Sequence, residues 1–223
     1  MSKAKMEFVY SSWHLWKVAA DSAHHSREVK GSHPRACTSD TIGALLLSAM
    51  SAESFINELG TRLSLLSAYS GKNLTRWANI GTFLEQLEAE HAQIRSKYLL
   101  VSNLLPGKPF VKGKPPFQDF SLLIDIRNDF AHPKAQQDAP KYIQSFSQKG
   151  WLYDKKTDEP KLVGWMFQLE TPEVAAWACR RVRTIIWDIV ARFQTFTDPL
   201  LKKLHDDMAF QWKKSLHDKR IEL

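Results

Sequence analysis

Between residues 40 and 68 apolar side chains return every three or four positions, as Ile42, Leu45, Leu46, Ala49, Ile56, Leu59, Leu63 and Leu66. That spacing follows the 3.6-residue turn of an α-helix, the stretch contains no proline, and Asp40 and Thr41 suit its N-terminal cap. A long amphipathic helix is predicted. A second is predicted over 82–105, with Phe83, Leu84, Leu87, Ile94, Tyr98 and Val101 on one side, Glu85, Glu88, Glu90, Arg95 and Lys97 elsewhere, and Pro106-Gly107 ending it. A third follows Pro115-Pro116 over 117–131, turning Phe120, Leu123, Ile124 and Phe130 inward until Pro133 stops it. The last core helix opens at Thr171-Pro172-Glu173, a capping threonine with proline in the first turn. It runs through Val174, Trp177, Val182, Ile185, Ile186, Ile189, Val190 and Phe193 toward Pro199.

Shorter helices are predicted at the two ends, over 11–25 with Trp13, Leu15, Trp16 and Val18, and over 205–219, which is basic and less apolar. Residues 134–170 lose the helical rhythm. Tyr142, Ile143, Phe146, Trp151, Leu152 and Tyr153 are followed by Leu162, Val163, Trp165, Phe167 and Leu169, the last group alternating as in a strand. A small irregular or β-hairpin insertion is therefore expected there. No repeat, low-complexity tract or linker divides the chain, so the pattern predicts one all-α bundle domain over 1–223 with its core at about 40–196.

Composition agrees: only 9 glycines and 10 prolines leave long stretches without breakers. A chain of 223 residues buries roughly 70% of its unfolded surface and needs no disulfides to hold a core. The longest apolar run, 42–50, is about half of the ~20 residues that a membrane span requires. Cys37 and Cys179 lie far apart in no ligand-like spacing, and the N-terminal residues lead into no secretory apolar segment. A cytoplasmic protein is expected. The charge changes the picture further. With 31 Lys+Arg against 24 Asp+Glu the net charge is +7, which favours a polyanionic partner such as nucleic acid.

One segment carries unusual chemistry. In 122–133, Arg127 falls beside Phe120, Leu123, Ile124 and Ala131 on the edge of the apolar stripe, where a guanidinium needs an anion. Continuing the helix would turn His132 about 140° away from Arg127, but Pro133 removes its neighbour from the helical region and frees the imidazole to swing. Arg and His can then share a site, within one chain or across a dimer interface. Glu53, on the inward side of the first long helix with Leu46, Ala49, Ile56 and Gly60, is the natural partner for Arg127, and Asn57 follows one turn later. Such a glutamate either orients the arginine, takes part in proton transfer, or forms an ion pair that only fixes helix register.

The run Arg127-Asn128 followed by His132, closing on Ala131-His132-Pro133 at the end of an amphipathic helix, resembles the signature of the HEPN (higher eukaryotes and prokaryotes nucleotide-binding) superfamily. The spacing from Arg27 to His33 also satisfies the bare signature, but it runs through Gly31 and Ser32 in a predicted loop. The resemblance covers about 40–196 and is specific only around 124–133; it implies neither the 134–170 insertion nor the terminal helices. It implies a helical bundle, a homodimer with a composite cleft, and a metal-independent endoribonuclease of toxin, abortive-infection or defence type, requiring no cofactor. In that reading Arg127 binds the scissile phosphate, His132 moves a proton, and Asn128 positions phosphate or ribose, or caps the site. A separate nucleotidyltransferase antitoxin partner is implied as well. The alternatives are a non-catalytic helical regulator or interaction module, and a nucleotide-binding module without turnover.

Lys108, Lys112 and Lys114, in the loop before the motif helix, are read either as a phosphate-tracking patch with Phe110 stacking on a base or as a plain solvated loop. Arg180, Arg181, Arg183, Lys202 and Lys203 are expected to face solvent. His205-Asp206 and His217-Asp218 lack the additional His and Asp ligands of a metal phosphohydrolase on core helices.

Overall fold

The computed structural model of the chain describes residues 10–30, 38–69, 72–132, 139–152 and 165–222. Among the described residues eight α-helices succeed one another: α1 (Ser11–Lys30), α2 (Thr38–Ser64), α3 (Lys72–Ala89), α4 (Ile94–Leu104), α5 (Phe117–Ala131), α6 (Lys141–Gln148), α7 (Pro172–Phe193) and α8 (Pro199–Trp212). Four short 3-10 turns complete them, and the fold is an all-α bundle.

Helix α2 is its organiser. It is 27 residues long, about 40 Å at 1.5 Å per residue, and packs against α1, α3, α4, α5 and α7. Its contact with α3 depends on one missing side chain. A Cβ on Gly81 would lie 2.1 Å from the Ser64 amide nitrogen and 2.6 Å from the Gly60 carbonyl oxygen, so the two backbones touch where no other residue fits. Helix α7 turns a broad apolar face to the core, with Val174, Trp177, Val182, Ile185, Ile186, Ile189, Val190 and Phe193 all fully buried. Each large apolar side chain removed from water in this way contributes roughly 1.5–3 kcal/mol. Thr171 starts α7 by accepting a hydrogen bond from the Val174 amide, while its hydroxyl donates to the Trp151 carbonyl at 2.6 Å. The cap thereby ties the segment before α7 to the core.

A second packing centre is aromatic. Trp16 and Trp212 meet at 5.9 Å, Trp13 stacks on Trp16 at 5.3 Å, and Phe55 approaches Trp212 edge-on at 6.1 Å. This cluster joins the N-terminal helix, α2 and the C-terminal helix, the offset and edge-on arrangements that the ring quadrupoles prefer.

Five expectations are corrected. The segment 82–105 is not one helix: α3 ends at Ala89 and α4 begins at Ile94. The Ala92 amide donates to the Leu87 carbonyl and the His91 amide to that of Glu88, with His91 at φ 55°. This is a Schellman stop with histidine in the left-handed position that glycine usually fills, so the sequence shows no breaker. The insertion holds no hairpin among its described residues. Instead α6 is followed by a 3-10 turn at Trp165–Leu169, in which Trp165 and Leu169 are buried and Phe167 is exposed. The apolar positions there repeat every four residues rather than every two. Tyr153, Leu162 and Val163 lie outside the described residues.

At the ends, α1 extends to Lys30, and the C-terminal helix starts at Pro199 rather than 205, because the Asp198 carboxylate accepts from the Leu200 and Leu201 amides at 2.9 and 3.3 Å. It stops at Trp212 and tightens into a 3-10 turn, Lys213–His217. Finally, the arginines of α7 are not idle surface charge. Arg180 donates to the Ile221 carbonyl at 2.6 Å, Arg183 to the Ser215 carbonyl at 2.9 Å, and Arg181 pairs with Asp119 at 3.2 Å. They fasten the C-terminal tail and α5 to the core helix.

Candidate functional site

Helix α5 buries Phe117, Phe120, Leu123, Ile124 and Ile126, which fixes its rotation about its axis. Arg127 then emerges at the margin of that face, toward α2. Its Nη2 donates to Glu53 Oε2 at 3.0 Å and its Nη1 to Asn128 Oδ1 at 3.0 Å. The guanidinium is held in two directions at once. The side chains of Arg127 and Glu53 remain 33% and 41% exposed, so Glu53 does not project into the core as its helical position suggested. It stands at the edge of the buried stripe of α2, beside Ile56 and Ala52. An ion pair with this much water around it contributes roughly 0.2–1 kcal/mol to stability. Its larger effect is to aim the arginine.

His132 follows as the C-cap of α5, at φ −132° and ψ 61°, its amide donating to the Asn128 carbonyl at 2.9 Å. The departure from helical geometry turns the exposed imidazole into the same groove as Arg127. That groove, of about 640 Å³, is lined by Glu53, Asn57, Glu88, Arg127 and His132 together with Leu15, Leu46 and Met50. A smaller hollow of about 370 Å³ adjoins it, lined by Glu53, Arg127 and Asn128 with His91, Arg95 and Asp125. Since Arg127 and Glu53 border both, their ion pair forms the ridge between the two.

Helix α4 supplies groups that the sequence reading passed over. Lys97 was placed on the polar side of its helix, yet its side chain is only 2% exposed. Its Nζ donates to Asn57 Oδ1 at 3.2 Å and pairs with Glu88. Asn57 therefore belongs to the lysine's network rather than to that of Arg127. The signal was available, because Lys97 lies three residues after Ile94 and four before Val101, on the apolar side. Arg95 pairs with Asp125 on α5. His91 reaches the smaller hollow only because α3 ends there in the left-handed conformation, a position no periodicity reveals. Beyond the groove, Tyr142 on α6 donates to Asp129 Oδ2 at 2.7 Å, joining α6 to the end of the motif helix. Burial, and then that hydrogen bond, raise the phenol well above its ordinary range.

The lysine loop is a separate matter. Lys108, Lys112 and Lys114 are exposed, and none of them lines either hollow. Phe110 is not available for stacking on a base: it is 7% exposed, stacks on Phe117 at 6.0 Å, and lies under the Arg192 guanidinium at 4.9 Å. Its amide donates to Ser102 Oγ at 3.1 Å, so the ring belongs to the core.

Among the described residues no group of three or more His, Cys, Asp or Glu side chains is placed to hold a metal ion, and no helix is long and apolar enough to cross a membrane. No family model, no curated protein and no solved structure matches this chain.

Proposed function

We propose that the chain is a metal-independent endoribonuclease of the HEPN type, with its active centre in the groove at the end of α5. The observation that carries this reading is that Arg127 and His132, five positions apart on a helix, line one groove of about 640 Å³. An arginine at the margin of the groove, its present partners Glu53 and Asn128 beside it, and an exposed imidazole are the two functional groups that transesterification of RNA requires. Arg127 donates to the non-bridging oxygens of the scissile phosphate and stabilises the charge that grows on them. The ribose 2′-oxygen attacks phosphorus, its proton passes to an imidazole, the bond from phosphorus to the 5′-oxygen breaks, and the departing oxygen takes up a proton. The products are a 2′,3′-cyclic phosphate and a 5′-hydroxyl.

One histidine cannot accept the first proton and deliver the second in the same step. A homodimer that brings a second His132 to the same phosphate supplies both, with Leu15, Leu46 and Met50 as the apolar margin beside the groove. A separate inhibitory partner and a role in defence belong to the same reading.

A second reading rests on the ion pair. Arg127 already has an anion in Glu53, as it would in a bundle that uses the pair only to set register and acts as a non-catalytic regulator. Purified protein incubated in EDTA with a mixture of tRNA and single-stranded RNA separates the two. Cutting with cyclic-phosphate ends, lost in His132→Ala, is the result expected of the nuclease. Intact RNA with the wild-type chain would assign the fold to regulation.

A further inference from the structure

A second groove, of about 660 Å³, lies between α7, α8 and the 3-10 turn 213–217, and shares no residue with the first. Its lining combines Trp187, Ala209 and Phe210 with Lys213, Lys214, His205 and His217, and among the described residues Asp206 is its one carboxylate. Helix α8 explains the arrangement. It buries Leu201, Leu204, Met208 and Trp212, and this leaves Phe210 on the other side, 65% exposed, the most exposed large apolar side chain described. Lys214 Nζ stands 4.5 Å from the centroid of that ring. The 3-10 turn matters here as well, because tightening the chain after Trp212 brings Lys213, Lys214 and His217 around one opening. Asp206 contacts His205 Nδ1 at 3.0 Å and is 63% exposed, so the lysines keep a surplus of positive charge.

We infer that this groove binds single-stranded RNA, one base stacking on Phe210 and the adjoining phosphates meeting Lys213, Lys214 and His217. Flat aromatic surface beside flexible cations is what a polynucleotide strand recognises without sequence preference, since every base has a π-face and every linkage a charge. The groove volume suits one nucleotide with its flanking phosphates. An acidic peptide would use the lysines but would leave the exposed ring without a flat partner. The inference rests on the ribonuclease reading only in its choice of RNA as the strand. It adds a holding site for substrate outside the reacting centre.

The test is fluorescence anisotropy of a labelled 12-nucleotide uridine RNA with the full chain in EDTA, in the His132→Ala background so that the strand stays intact. Phe210→Ala is expected to weaken binding about tenfold, and Phe210→Trp to keep it. The pair Lys213→Ala/Lys214→Ala is expected to flatten the salt dependence by about one to two in the logarithmic slope. Thermal unfolding of each variant should match that of the parent, since all three positions are exposed. Unchanged affinity in Phe210→Ala overturns the inference, as does a parent that binds no RNA. A Phe210→Ala chain whose mass in light scattering differs from the parent's overturns it too and assigns the face to protein contact. The cleavage assay is independent: absence of cutting with Phe210-dependent binding leaves this site standing alone, and cutting with Phe210-independent binding removes this site alone.

Discussion

The two grooves have nearly equal volumes, about 640 and 660 Å³, and opposite treatments of charge. In the first, between α2 and α5, the cations are already matched: Arg127 holds Glu53, and Lys97 holds Glu88 and Asn57. In the second, Lys213 and Lys214 are exposed, and among the described residues the groove's one carboxylate, Asp206, is engaged by His205. A ligand of the first groove must displace an internal carboxylate, so it gains only if it offers the guanidinium better geometry than Glu53 does. A ligand of the second displaces water and counterions. Placement selects in the first groove, whereas charge and stacking attract in the second, and catalysis and retention need those separate properties.

On the ribonuclease reading proposed above, the sharpest way to break this comparison is to remove the two groups it assigns to the reaction. Arg127→Ala and His132→Ala should each lower the initial cleavage rate at saturating RNA by about 10²- to 10⁴-fold, while Phe210→Ala leaves that saturated rate unchanged. Equal losses from both grooves would mean that they are not distinct in role. Next in size is Trp212→Ala. Trp212 is 1% exposed and meets Trp13, Trp16 and Phe55, so the truncation should cost about 3–5 kcal/mol in urea unfolding. It should impair both grooves together, because that aromatic cluster joins α8 to α1 and α2. Smaller effects test the charge balance itself. Glu53→Gln should tighten RNA binding up to about fivefold, within the range of an exposed ion pair. Asp206→Asn should change it less than about twofold on the same scale.

The smallest expected effect is on acid stability of the C-terminal tail, which packs against α1 and α7. Burial raises the Asp218 carboxyl, but the Arg220 guanidinium and the Arg220 amide hold it below its ordinary range overall. A carboxyl lowered on folding contributes stability that is complete above its unfolded pKa, about 3.9. That contribution disappears as pH falls through the lower folded value. Loosening of the tail in hydrogen exchange should therefore begin below about pH 4 and be absent from its pH dependence in Asp218→Asn.

Particular residues show how far the sequence could be read. The helices α2, α5 and α7 were legible because their apolar positions repeat with one period and prolines mark the starts of α5 and α7; α2 begins at Thr38, ahead of the Asp40 and Thr41 expected to cap it. The same periodicity brought Arg127 and Glu53 into view as polar residues on or beside apolar stripes, whereas His132 came into view from the spacing after Arg127 and from Pro133. Other features were hidden because their causes are not local. His91 ends α3 in the left-handed conformation, which non-glycine residues adopt uncommonly and which apolar periodicity does not register. Phe110 resembled a free ring in a basic loop, yet Arg192 and Phe117 cover it. Trp165, Phe167 and Leu169 alternate in sequence, but a 3-10 turn places only the first and last inside.

The sequence by itself determined that the chain is helical, where α2, α5 and α7 run, and that Arg127 stands at the edge of an apolar stripe, because period acts within one or two turns of backbone. Only the tertiary structure decided which of those residues meet. The 3.0 Å contact of Arg127 with Glu53 spans 74 positions, and the ring of Phe210 became a surface because Trp212 took the inward place on α8. Burial is a property of how helices cross, and the crossing is set by backbone approaches such as Gly60 against Gly81, which depend on every helix at once.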